Sequence, residues 1–500
     1  MHNIKQVVIA GGGSAGWMTA AALSKLLGEH VNITLVESAQ IGTVSVGEAT
    51  IPQIRQFNQL IGIDENEFLS ATSGTFKLGI EFIDWGQIGQ QYMHPFGPYG
   101  VNLNGIAFHH YWLKSVKNTN PAPILDYCLE GHAAKLNRFD RIVGQTTKGH
   151  STLNYAFHFD AVKYAEFLST LAIKQGVKHI QGTISQVTIE PSNGHIKDLI
   201  LDDGQVISGE LFIDCTGFKG RLINQALHVG FESWQHWLPC DSAIAIASES
   251  LPELKPYTQA TAHNAGWQWQ IPLQHRVGNG RVFASGFTSA EQQIVQLAAQ
   301  LPSKAMTEPR QLNWQNGRRL KAWQKNCVAI GLSAGFLEPL ESTGLQFIQS
   351  AILRLISLFP SCAMAKVDAD TYNRYTEQEI TAVRDFIICH YKVTKRSDSE
   401  FWRYCQHMDV PNTVSERLAL FAQNGRLFRE NNELFNELSW FSVLHGQGIE
   451  PQGYHPLVNS LSDAACEQYM QQIKTMIGQT ARSLPMHSEY VARHCRYSKS

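Results

Sequence analysis

Glu341, followed by Ser342, Thr343 and Gly344, places a carboxylate at a corner that also suits an anion. Leu345, Ile348, Ile352, Leu355, Ile356 and Phe359 recur at helical spacing immediately afterwards. Ser342-Thr343-Gly344 is therefore predicted at a helix N-terminus, where unpaired N–H groups and the positive end of the dipole attract negative charge. An acid beside an anion site could run general acid–base chemistry on a bound anion or on what it becomes. The same residues also fit a plain capped helix, with Ser342 or Thr343 as cap and Glu341 complementing the dipole. Both readings stand on these residues alone.

The start of the chain supplies an element that could serve such a corner. Val7-Val8-Ile9-Ala10 reads as a buried strand, Gly11-Gly-Gly-Ser14-Ala15-Gly16 as a tight turn, and Trp17 to Leu23 as the helix after it. Gly11, Gly13 and Gly16 fit the dinucleotide fingerprint: a tight turn, close backbone approach to a pyrophosphate, and close helix–strand packing. A second strand, Ile33 to Val36, ends in Glu37, about twenty residues on, where an acid holds ribose hydroxyls. The fingerprint alone does not separate FAD from NAD. Asp214-Cys-Thr-Gly217 and Ala329-Ile-Gly331-Leu-Ser-Ala-Gly335 look like two further segments that approach the same nucleotide, the last running directly into the anion corner. Three such segments point to FAD.

Elsewhere the patterns are coarser. Phe76, Leu78, Ile80 and Phe82 alternate with Lys77 and Glu81, which pattern alone would put on the solvent face of a strand. Residues 93–158 are rich in His, Gly, Pro and Tyr and read as loops around a site. Asp203-Gly204 marks a hairpin turn, and after residue 345 the signal is helical, with a capping box at Thr413–Glu416. Phe435 and Trp440 fall in a predicted helical stretch from Asn431, as ring-stacking partners or as core.

Composition bounds the class. Five hundred residues with 43% apolar content and a formal charge of −2 describe an enzyme-sized chain with no electrostatic case for nucleic acid or membrane. Nine scattered cysteines without a CxxC pair read as reduced thiols in a cytoplasmic protein without a metal site. No apolar run approaches the roughly 20 residues of a membrane span, and the first strand leaves no room for a signal peptide.

With these motifs in view, the chain resembles the flavin-dependent halogenases of the tryptophan halogenase family over nearly its whole length. Four motifs carry the resemblance: Gly11–Gly16, Gly47-Glu-Ala49-Thr-Ile-Pro52, Trp267-x-Trp269-x-Ile271-Pro272, and Phe336-Leu-Glu-Pro-Leu-Glu-Ser-Thr-Gly344. The Trp-x-Trp-x-Ile-Pro signature distinguishes that family from flavin monooxygenases, and is held there to keep the flavin oxidant from the organic substrate. The resemblance implies an α/β (α+β) fold: a Rossmann-like two-dinucleotide-binding-domain FAD module with inserted β-rich segments over residues 1–350, and a mainly helical module covering the substrate over 351–500. It implies FAD binding through Gly11, Gly13, Ser14, Ala15, Gly16, Glu37, Ala49, Gly331 and Ser342, and halide (bromide or chloride) at Thr343 and Gly344. Lys77 would aim hypohalous acid at an aromatic carbon, either as a haloamine or by hydrogen bonding, with Glu341 as acid or base. His94, Phe96, Phe435 and Trp440 would meet the substrate. The implied partners are a separate flavin reductase delivering FADH2 and a small aromatic substrate, and a homodimer is compatible with the chain.

One departure is informative. Family members acting on free tryptophan grip its amino-acid end with a tyrosine pair in the C-terminal helical region. This chain has no tyrosine between Tyr404 and Tyr454, so an indole or another electron-rich arene without a charged tail is the better expectation. A flavin aromatic hydroxylase or a non-catalytic FAD-binding protein would share the glycine fingerprint but would need neither Lys77 nor the anion corner.

Overall fold

The computed structural model describes residues 3–38, 48–118, 121–146 and 149–497. The strand Gln6–Ala10 runs into the helix Gly13–Leu27 and returns as the strand Asn32–Glu37, as the glycine fingerprint predicts. These strands pair in parallel, Val7 beside Ile33 on one side and Leu211 on the other. The six-stranded sheet runs Lys178–Gln181, Asn32–Glu37, Gln6–Ala10, Leu211–Asp214, Cys327–Ala329, Trp323–Gln324. Only the last pair is antiparallel. Val7, Val8, Ile9 and Ala10 are all buried, as required of a parallel strand covered on both faces.

A seven-stranded sheet lies beside this module. Its order is Arg310–Asn313, Ser242–Glu249, Arg276–Phe283, Gly266–Pro272, Thr258–His263, Gly79–Ile83, Gln91–Pro95. The alternating stretch 76–82 is therefore not one strand. Thr75–Lys77 belongs to a separate three-stranded sheet with Ala156–Phe159 and Glu48–Ala49, while Gly79–Ile83 joins the large sheet. Neither face of it meets solvent: Phe76, Lys77, Leu78, Ile80 and Phe82 are all 0% exposed and Glu81 is buried. The stretch 93–158 holds the helices Phe108–Asn118 and Leu129–Lys135 as well as loops.

Among the described residues the strands end at Phe336, and helices dominate thereafter: Gly344–Ser357, Lys366–Lys392, Glu400–His407, Asn412–Asn424, Glu437–Gly446, Asp463–Ser483 and His487–His494. Two expected details change. The helix of Thr413 starts two residues earlier, at Asn412 after Pro411, and the Thr413 hydroxyl donates to Asp385 at 2.5 Å instead of capping. Asn436 caps the helix Glu437–Gly446 by accepting from the N–H groups of Leu438 and Ser439, so Phe435 lies just outside it. The helical half shares one core with the large sheet: Phe82, Trp85, Trp267 and Trp269 pack with Phe386, Tyr391, Trp402 and Phe441. That shared core closes over the site. Among the described residues no helix is long and apolar enough to cross a membrane.

Candidate active site

The three glycine segments converge because nothing but glycine fits where they meet. At Gly11, with φ +101°, an added Cβ would stand 2.3 Å from the carbonyl oxygen of Cys215. A Cβ on Gly16 would stand 2.0 Å from the carbonyl oxygen of Gly11. Gly331, at φ +76°, faces Ala15, whose Cβ lies 2.8 Å from where its own would be. First, second and third segments thus form one cradle, with Ser14 in the first helical turn. Glu37 leans over it from the end of its strand and pairs with His179 at 2.9 Å. Asp214 turns inward, accepting from the backbone N–H groups of Thr216, Leu222 and Ile223, and so holds its own loop. A backbone cradle with an acid at the edge suits a dinucleotide. Ala49 sits in the short strand Glu48–Ala49, and Gly47 lies outside the described residues.

At the other end of the third segment, Pro339–Glu341 forms one tight turn and Ser342 takes a left-handed conformation, φ +60°. The helix begins at Gly344 without a side-chain cap from Thr343. The capped-helix reading therefore fails. Ser342 Oγ accepts a hydrogen bond from Lys77 Nζ at 2.8 Å, and Thr343 Oγ1, wholly buried, has no hydrogen-bond partner among the described residues. The space beside Gly344 is open, since an added Cβ would meet nothing within 4 Å. A buried unpartnered hydroxyl beside a helix N-terminus is an arrangement that can receive an anion.

Lys77 and Glu341 meet at this corner although 264 residues separate them in the chain. Both are 0% exposed. Burial pushes the Lys77 amine down to about 7, against the opposing pull of Glu341. The Lys77 ammonium position lies 5.3 Å from the centre of the Phe96 ring. Burial alone would raise the Glu341 carboxyl, but the charges and hydrogen bonds of His94 and His390 outweigh it and hold the group at about 2. His94 Nδ1 approaches both carboxylate oxygens, at 3.0 and 3.1 Å, and His390 Nε2 approaches one at 2.8 Å. His94, on the strand Gln91–Pro95, is thus bound to Glu341 and not carried on a loop.

The signature strand frames both residues. Trp267 and Trp269 project from one face of Gly266–Pro272, their rings 6.1 Å apart. Trp267 Nε1 donates to Glu338 Oε1 at 3.0 Å, and the Tyr391 hydroxyl donates to the same oxygen at 2.5 Å. Burial pushes the Glu338 carboxyl up to about 7, the two donors only moderating it, and its Oε2 has no hydrogen-bond partner among the described residues. Trp269 lies on Gly280, where any side chain would collide with its ring. Ile271 is buried, and the Pro272 carbonyl accepts from Thr75 Oγ1 at 2.8 Å. Phe435 stacks on Phe386 with centroids 4.2 Å apart, and Trp440 lies between Phe386 and the Arg417 guanidinium.

His390, Tyr391 and Glu338 escape the sequence reading. Adjacent on the helix Lys366–Lys392, His390 and Tyr391 hold the two glutamates of Glu338-Pro-Leu-Glu341, one each. A signal existed: a histidine inside the apolar run Phe386-Ile-Ile-Cys-His-Tyr needs a polar partner when buried.

Comparison with known proteins bears on this arrangement. A family model described as tryptophan halogenase matches residues 6–463. The chain is 36% identical to a tryptophan 6-halogenase of Streptomyces toxytricini, covering 98% of both chains. It is 31% identical to a tryptophan 7-halogenase of Lentzea aerocolonigenes, over 92% of this chain and 93% of the other. Among solved structures, a flavin-dependent halogenase from Xanthomonas campestris superposes with a TM-score of 0.96 at 45% identity, with 100% of each chain covered.

Proposed function

This chain belongs to the tryptophan halogenase family and is a flavin-dependent halogenase, and on that premise we propose that it halogenates an indole-like arene with hypohalous acid held by Lys77. The observation that carries the reading is the buried contact of Lys77 with Ser342 beside Glu341, at a corner whose Thr343 hydroxyl has no partner among the described residues. The glycine cradle and Glu37 would hold FAD, which, once reduced by a separate reductase, would supply with oxygen the oxidation of halide to hypohalous acid. Thr343 and the N–H groups from Gly344 onward hold the halide. Ser342 positions the Lys77 amine, which burial leaves substantially uncharged near neutral pH. A neutral amine can accept or donate to hypohalous acid, or be halogenated by it, as a guanidinium cannot. Glu341 takes up the proton lost from the ring.

For the substrate, Phe96 beside Lys77 and the Phe386–Phe435 stack favour a flat arene. With no tyrosine between Tyr404 and Tyr454, a zwitterionic tail would lose hydration without a replacement from that source. Residues 1–350 then carry the cofactor and the chemistry, and residues 351–500 complete the substrate side.

The test is competition of indole against tryptophan with bromide, FAD, a flavin reductase and oxygen, read by mass spectrometry. Indole brominated at C3, its most electron-rich carbon, is the expected product. Hydroxylated product independent of halide would replace this reading with a monooxygenase. Preference for tryptophan would show that the amino-acid group is held by residues other than tyrosines of the 404–454 span.

A further inference from the structure

We propose that Glu341 and His390 share one proton as a carboxylate–imidazolium pair, and that this pair is the proton reservoir of ring halogenation. The second half rests on the proposed function above; the first does not. His390 Nδ1 lies 2.9 Å from the Phe386 carbonyl oxygen, one turn back on the same helix. A carbonyl has no proton to give, so Nδ1 carries the hydrogen and donates. Its other nitrogen, Nε2, then faces Glu341 Oε1 at 2.8 Å. In a neutral imidazole Nε2 would offer only a lone pair to a carboxylate that also offers only lone pairs. Two lone pairs at that distance in a wholly buried site repel, and Nε2 would be left without a donor while Oε1 kept only the longer approach of His94. A proton on Nε2 removes the conflict and makes the pair neutral overall.

The surroundings agree. The titratable groups facing the pair are Lys77, His94 and Tyr92, with Cys389 behind Tyr92. Burial pushes the Tyr92 hydroxyl and the Cys389 thiol up, which keeps both neutral. His94 serves Glu341 as a donor to both oxygens. Lys77 faces the same carboxylate, whose pull on the amine is outweighed by burial.

The pair balances the reaction. Hypohalous acid and an arene give a haloarene and water. The carbon–halogen bond forms from ring π electrons, and the halogen–oxygen bond pair leaves on oxygen. That oxygen takes one proton from the pair through Glu341 and departs as water. The ring carbon then releases its proton to Glu341, the C–H electrons restore the ring, and the pair is refilled. His390 is a positioning residue in this scheme, acting on the substrate only through Glu341.

The decisive measurement needs no turnover. In protein labelled with ¹⁵N-histidine, the His390 ring, assigned by its loss in His390→Gln, should show both nitrogens protonated at about pH 8, where a free imidazole is neutral. In Glu341→Gln the signal should fall to a singly protonated ring. A His390 ring protonated only at Nδ1 in the parent protein across pH 6–9, roughly the range around the free value, would overturn the proposal. In turnover, His390→Gln keeps a donor toward Glu341 but cannot hold the proton. Ring halogenation should drop about 10²-fold or more at unchanged KM while hypohalous acid output persists. Equal kcat in His390→Gln and the parent would remove the reservoir role. A doubly protonated ring in a protein that halogenates no arene would keep the pair and defeat the function instead.

Discussion

Thr75 Oγ1 donates to the Pro272 carbonyl at 2.8 Å, joining the strand of Lys77 to the last residue of the Trp-x-Trp-x-Ile-Pro signature. The first residue of that signature, Trp267, donates to Glu338, three residues before Glu341. The two ends of one strand thus hold the two sides of the lysine–glutamate corner. His158 extends the line: its Nδ1 lies 3.1 Å from Thr75 Oγ1 and its Nε2 2.9 Å from Thr258 Oγ1.

Thr75→Val keeps the shape and removes the hydroxyl, leaving the Pro272 carbonyl and a His158 nitrogen unpaired. A loss of about 1–3 kcal/mol in unfolding free energy is expected, the usual cost of an orphaned buried group. Lys77 should also be held less firmly, so more hypohalous acid should escape per haloarene formed. Trapping free hypohalous acid during turnover measures this, and an unchanged escape ratio would separate the signature from Lys77.

Lys77 sets a pH window. Its amine is held down at about 7 in the folded chain against about 10.4 when unfolded. Between these values the unfolded chain binds the extra proton, so stability rises with pH across about 7 to 10 and Lys77→Met flattens that slope. Ring halogenation per hypohalous acid formed should climb as pH passes through about 7 and be lost in Lys77→Arg, whose guanidinium stays charged. A Lys77→Arg variant as active as the parent would contradict the role of the free amine.

Glu338 has the opposite sign. Its carboxyl is raised to about 7, so the folded chain keeps a proton that the unfolded chain loses above about 4.3. Its contribution is present at low pH and lost as pH rises through about 7. Glu338→Gln should shrink the fall in stability between about pH 5 and 8 by up to roughly 3 kcal/mol. Urea unfolding at the two pH values checks it, and an unaltered difference would mean that Glu338 is ionised throughout.

Gly331→Ala should separate the third segment from the first, because its Cβ would meet that of Ala15 at 2.8 Å and its φ is +76°. FAD affinity, followed by quenching of flavin fluorescence, should fall while the helical half keeps its thermal transition. In the parent protein NADPH should not bleach bound flavin without a reductase, since only one dinucleotide fingerprint is present in the chain.

Where a motif is contiguous, its local conformation could be read directly. Gly11 and Gly13 take positive φ where a buried strand turns into a helix, and Gly16 in the first helical turn meets the Gly11 carbonyl; those constraints are local, although the contact of Gly11 with Cys215 is not. The break from strands to helices near residue 345 is equally local, written in a change from period 2 to period 3.6. The helix start at Gly344, preceded by an acid, was legible in the same way.

Tertiary structure decided everything that depends on burial and partners. Alternation alone made Lys77 a solvent-facing lysine, yet it is wholly buried with Phe96, Ser342 and Glu341 around its amine, and only that burial draws the amine down. Ser342 and Thr343 looked like caps until Lys77, from 265 positions away, claimed one hydroxyl and left the other without a partner among the described residues. Phe435 looked helical until Asn436 capped the turn behind it. His390 and Tyr391 carried no motif at all. They matter because a 27-residue helix crosses the Glu338–Glu341 turn at their position, and a crossing point is set by the packing of the whole chain rather than by any local stretch of it.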